Sequence, residues 1–246
     1  MANSAAKDRI LSRIREALGR QGPASDDQRQ AAQAYLDRHP SGPLPAVDPA
    51  ERLSRFEQQS AKLSATTERI AHRSELPSAV ATYIDFNGLE RRAIAWPAFS
   101  DLDWAAAGLQ VEHRAPVRDE PQPDLVGITG CFAAIAETGT LAMTSGPQTP
   151  AAMTLLPETH IAVVPVSRLV SHMEEVFALL RAELGQPPRA LNFISGPSRT
   201  ADIEQTLVLG AHGPYRVHII LLENDSPWLS LTCLSPDVFI PRPLRP

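Results

Sequence analysis

Six consecutive apolar residues, Ile161-Ala162-Val163-Val164-Pro165-Val166, run into a helical stripe of Leu169, Met173, Val176, Phe177, Leu180 and Leu184 that stops at Gly185. A strand with one wet face alternates apolar and polar side chains, so a run without alternation belongs to a strand buried on both faces. The same grammar recurs from Pro49 onward. A helix through about Leu63 leads to a strand near Thr67–His72. A helix over Pro77–Phe86 ends at Asn87-Gly88, before a strand at Arg92–Trp96. A short helix at Leu102–Ala107 stops at Gly108, before a strand at Leu109–Arg114. Beyond the acidic, Pro-rich loop Pro116–Asp124, strands are expected at Leu125–Thr129, Ala133–Ala136, Thr140–Thr144, Ala190–Ile194 and Val217–Leu222, with a helix from about Thr200 to Leu209. Alternation of this kind predicts an α/β fold: a mostly parallel sheet with helices on both faces.

The N-terminal part reads differently. Ile10, Leu11, Ile14, Ala17 and Leu18 lie at helical spacing, and a polar helix is expected over Asp26–Arg38. The segment from His39 to Pro49 is too rich in proline to pack as an element. The expected division is a helical appendage with its linker over residues 1–48, an α/β domain over 49–225, and a C-terminal tail over 226–246. The tail carries Trp228, Leu229, Leu231 and Leu234, which must dock on the body or on a neighbouring subunit to leave water.

Several classes of function are disfavoured. A net charge of −5 gives no basic face for nucleic acid. Cys131 and Cys233 are two thiols where an iron–sulfur cluster takes four, and no histidine pattern suggests a metal site. Glycines never recur at the GxG spacing of a dinucleotide loop. No apolar stretch approaches the roughly 20 residues of a membrane span, and Met1–Arg20 lacks the apolar core of a signal peptide, so the expected location is the cytoplasm. Cys131 reads as a small buried filler, with no histidine near it in sequence to make it a nucleophile.

Two polar islands interrupt the apolar pattern. One is Gly127-Ile128-Thr129-Gly130 running into Ala136-Glu137-Thr138-Gly139-Thr140. The other runs from Ser195-Gly196-Pro197-Ser198-Arg199-Thr200 to Gly210-Ala211-His212-Gly213-Pro214. Glycines break a strand where backbone turns tightly or approaches a ligand. Glu137, in an uncharged neighbourhood, is either a nucleophile or general base, or a structural carboxylate holding loop N–H groups. If the sheet brings the islands together, Glu137 faces Arg199 across a pocket. Gly196, Ser198, Arg199 and Thr200, at the end of a strand and the start of a helix, could hold a phosphate or carboxylate together with Thr138, Gly139 and Thr140. The plain alternative is a helix cap by Ser198 or Thr200, with Asp202 and Glu204 complementing the helix dipole. His212 looks catalytic, but a Thr200–Leu209 helix would be about 15 Å long and would separate it from Arg199. On that reading His212 belongs to a C-terminal cap, unless a homo-oligomer completes the pocket with a second subunit.

Taken in order, these motifs resemble the LUD-domain family and, within it, the lactate-utilisation protein C (LutC) group. The signature comprises Gly127-Ile128-Thr129, Ile135-Ala136-Glu137-Thr138-Gly139-Thr140, Leu156-Pro157-Glu158-Thr159-His160-Ile161, Gly196–Glu204 and Gly210–Pro214. The resemblance implies a fold like that of sugar-phosphate isomerases and CoA transferases (NagB/RpiA), and a part in oxidising L-lactate to pyruvate beside iron–sulfur partner proteins. The absence of CxxC motifs fits a member of that system with no cofactor of its own, and the polar islands, rather than the resemblance, suggest a small anionic ligand. Glu137-Thr138-Gly139 matches the E-x-G context of CoA-transferase glutamates, although their glycine-rich CoA loop is missing. The alternatives are a stand-alone isomerase or acyl/CoA-type transferase on small phosphorylated or carboxylated substrates, and a non-catalytic assembly factor.

Overall fold

The computed structural model describes residues 2–20, 22–117, 126–201, 207–210 and 212–224. The C-terminal tail, the Pro116–Asp124 loop beyond residue 117, and Asp202 and Glu204 lie outside the described residues. The chain divides into two compact units, Met1–Leu44 and Pro45–Pro246. The first holds two helices, α1 (Ala2–Ala17) and α2 (Asp26–Arg38). A reciprocal box opens α2: the Ser25 hydroxyl accepts from the Gln28 N–H at 3.3 Å, and the Gln28 side chain accepts from the Ser25 N–H at 3.1 Å. Among the described residues of this unit none is buried.

The second unit begins with α3 (Arg52–Lys62) and β1 (Thr66–Ile70), followed by α4 (Leu76–Phe86), β2 (Arg92–Ala95), β3 (Gln110–Glu112) and β4 (Val126–Thr129). Then come β5 (Ala133–Ile135), β6 (Thr140–Thr144), β7 (Thr159–Pro165), β8 (Leu169–Val170), α5 (Met173–Leu184) and β9 (Leu191–Ile194). Short strands β10 (Arg199–Ala201) and β11 (Leu207–Leu209) precede β12 (Arg216–Leu222). Six strands form one sheet in the order β1-β12-β7-β4-β2-β3, every neighbouring pair parallel. The central strands β7 and β4 are buried at every position, as the unbroken apolar run of β7 predicts.

Side chains in register share a face, which assigns the covering layers. On one face Tyr83 of α4 stacks on His218 of β12, with ring centroids 4.0 Å apart. On the other, Arg69 of β1 pairs with Glu57 of α3, and Pro157 presses on Gly127 of β4. A second sheet, β8-β5-β6-β9, adds a layer that the sequence reading does not contain. Its alternate residues serve two cores. Ala134, Leu141, Met143 and Leu169 join the main core, whereas Ala133, Ile135, Ala142 and Val170 pack on Val176 and Leu180 of α5.

Four local expectations are corrected. The Leu102–Ala107 segment is a series of turns. Helix α5 starts at Met173, because Leu169 is taken by β8. The strand after Pro188 belongs to the second sheet, antiparallel to β6, and not to the parallel one. The expected Thr200–Leu209 helix is absent: β10 and β11 pair antiparallel, with Arg199 opposite Leu209.

Candidate functional site

Glu137, Thr138 and Gly139 form the turn between β5 and β6. The Ala136 and Glu137 N–H groups donate to Val170 O (2.8 Å) and Ser171 O (3.1 Å), which pins the turn beside the chain entering α5. There the Ser171 and His172 N–H groups donate to the Glu175 carboxylate at 2.9 and 3.0 Å, closing the N-terminus of α5. His172 is extended at this position (φ −132°, ψ 162°), and its ring meets the turn: Nδ1 lies 2.9 Å from Glu137 Oε2. An ionised carboxylate only accepts, so Nδ1 is the donor in this contact. Only 9% of the His172 side chain is exposed against 28% of Glu137, so the carboxylate holds the imidazole from the wetter side. The arrangement is a base whose tautomer and direction are set by a second group.

A line of hydroxyls leads from this turn to the other island. Thr138 Oγ1 donates to Thr140 Oγ1 at 2.8 Å, and Thr140 Oγ1 lies 2.8 Å from Ser195 Oγ. Thr140 Oγ1 accepts from Thr138 and keeps a second lone pair and its proton for the contact with Ser195, in which either hydroxyl can donate. Ser195, at the end of this line, is exposed.

Both islands rest on the end of α3. Gly139 (φ +66°) comes so close that an added Cβ would lie 2.4 Å from Ser60 N, and Gly196 (φ +74°) so close that one would lie 2.4 Å from Leu63 O. Only glycine fits either place. Arg199 bonds the same helix end, donating to Leu63 O at 3.3 Å and to the Ser64 hydroxyl. A guanidinium at a helix C-terminus satisfies free carbonyls and complements the dipole.

The expected site residues thus separate. Thr140, bonded to Thr138, meets Ser195, and Gly139 and Gly196 rest on the same end of α3. The expected Glu137–Arg199 pair is not formed: the carboxylate is bound to His172 and the guanidinium to α3. Ser198 is linked to the His212 loop, since its N–H donates to Pro214 O and its carbonyl accepts from Gly210 N–H, each at 2.9 Å. The separation of His212 from Arg199 by a helix is therefore overturned; the hairpin returns His212, exposed, to the Ser198 end. The backbone of Thr200 pairs with Val208, and its side chain lies outside the described residues.

His172 was not singled out from the sequence. The signal was present in the His172-x-x-Glu175 spacing of a helix start, masked by the expectation of a helix from Leu169. Other titratable groups are structural. Cys131 is buried, its thiol pushed up to about 12 by desolvation. His160 and His218 are both lowered to about 4 by burial; His160 Nε2 bonds Thr129 Oγ1 at 2.7 Å and His218 Nδ1 bonds Thr66 Oγ1 at 2.8 Å.

Comparison with known proteins agrees with the sequence motifs. Residues 60–222 match the model of the LUD domain. A protein from an Exiguobacterium species named Lactate utilization protein C is 30% identical over 236 residues, 89% of this chain and 96% of the relative. One of the same name from Deinococcus radiodurans is 34% identical over 193 residues, covering 74% of this chain and 85% of the relative. The crystal structure of a DUF162 family protein from Deinococcus radiodurans superposes with a TM-score of 0.51 at 24% identity, over 72% of this chain and 99% of that one.

Proposed function

Because the chain belongs to the LUD-domain family, we propose that it is a lactate-utilisation component working in the cytoplasm with iron–sulfur partner proteins in the oxidation of L-lactate to pyruvate. The name of its relatives supports the pathway. The chemistry assigned to this chain rests on one observation, the 2.9 Å bond between His172 Nδ1 and Glu137 Oε2.

Oxidising lactate breaks its O–H and Cα–H bonds and removes two electrons and two protons; the iron–sulfur partner proteins would supply the acceptors for the electrons and for the Cα–H proton. Nε2 of His172 accepts the hydroxyl proton, and Glu137 holds the ring and stabilises the imidazolium that forms. The exposed Ser195 hydroxyl, 2.8 Å from Thr140 Oγ1, offers a polar contact to an anionic ligand.

The test is a reconstituted assay of the full chain with its iron–sulfur partners, following electron transfer from L-lactate. His172→Asn and Glu137→Gln are each expected to lower the rate by about 10²–10⁴-fold, the usual worth of general acid–base catalysis, with unchanged association with the partners. Wild-type rates in both variants would reduce the chain to an assembly factor. Lactate oxidation by the isolated chain would overturn the subunit reading.

A further inference from the structure

Helix α1 leaves its apolar side in water: Ile10, Ile14 and Leu18 are 57%, 49% and 61% exposed. At 16 residues it is about 24 Å long. An isolated helix of this length is marginal in water, and its stability must come from whatever covers that side. The charges say what that is. On the helical wheel Ile10, Leu11, Ile14, Ala17 and Leu18 span an arc of about 120°, and Lys7 falls inside it about one turn before Ile10. Arg9 and Arg13 border it on one side and Arg15 on the other, with Asp8 and Glu16 beyond them. Residues 1–20 contain five basic and two acidic side chains, a net +3, so the remaining 226 residues of this −5 chain carry −8. A basic helix on an acidic protein complements an anionic surface that the rest of the molecule repels.

We infer that α1 binds the surface of an anionic lipid bilayer. The helix lies parallel to the membrane plane with Ile10, Ile14 and Leu18 among the acyl chains. The arginines at both borders of the stripe reach lipid phosphates, as long basic side chains do at an interface. Among the described residues no helix is long and apolar enough to cross a membrane. The enzyme-like unit is held at the bilayer by a peripheral contact that salt weakens.

Co-sedimentation of the full chain with vesicles tests this, comparing phosphatidylcholine alone with phosphatidylcholine containing phosphatidylglycerol. Retention is expected to be at least about tenfold greater on the anionic vesicles and to fall in about 0.5 M salt. Ile14→Asp/Leu18→Asp and Arg9→Glu/Arg13→Glu should each abolish it, while the unfolding transition of the second unit stays in place. Equal retention on neutral vesicles, no retention on either, or retention unaffected by both variants overturns the inference. So does loss of binding to the lactate-oxidising partners in the Ile14→Asp/Leu18→Asp variant without vesicle binding in the parent, which would seat the helix in a protein groove. Lactate oxidation with soluble partners is expected to be unchanged in both α1 variants, so the lipid contact and the catalytic reading fail separately.

Discussion

A methyl group added at Gly139 or Gly196 would meet backbone atoms 2.4 Å away, at a backbone angle that L-residues resist. Gly139→Ala and Gly196→Ala are each expected to lower stability by about 2–4 kcal/mol, from overpacking added to the cost of positive φ. Gly185→Ala, also at positive φ but with open space around it, should cost only about 1 kcal/mol in the same urea titration. Two histidines make the fold sensitive to acid. Burial lowers His160 and His218 from 6.5 to about 4, so the unfolded chain takes up these protons before the folded one does. Their contribution is complete above about pH 6.5 and is lost as pH falls toward 4, on the order of 3 kcal/mol at each site. Urea midpoints measured between pH 7 and 4.5 should fall steadily, and the slope should shrink in a His218→Phe chain. Glu137 was legible because a lone carboxylate among small apolar residues stands out. His172 was not, since what recruits it is a carboxylate 35 residues away that becomes a neighbour only after β5 and β8 pair.

Most strands and helices of the second unit were readable from periodicity because each is amphipathic or fully buried. The failures share a cause. Residues 199–209 carry helix-start signals, yet β10 and β11 are held by partners distant in sequence, above all the α3 end some 136 residues before Arg199. Local pattern carries no trace of such a tie. The second sheet escaped notice because α5 covers one of its faces and the main core the other, erasing the polar alternation that marks a half-exposed strand. If Arg199 secures the hairpin to α3, Arg199→Ala should cost about 1 kcal/mol of stability. Amide exchange at Leu63 through Ala65 and in β10 should then accelerate together, with β4 and β7 unaffected.

The two units differ in how they are stabilised. The described part of Met1–Leu44 buries nothing, whereas the second unit encloses Trp96 and Trp104 at 3% and 5% exposure. Removing Met1–Leu44 should therefore change the unfolding free energy of the remainder, read from the fluorescence of those tryptophans, by no more than about 1 kcal/mol. Within the second unit, the loop bearing Glu137 and the loop bearing Ser195 lean on one helix terminus through contacts too tight for a methyl group. That terminus works as a common fulcrum. Loosening that terminus should therefore disturb both loops together, which amide exchange at Thr138–Thr140 and Ser195–Ser198 would report.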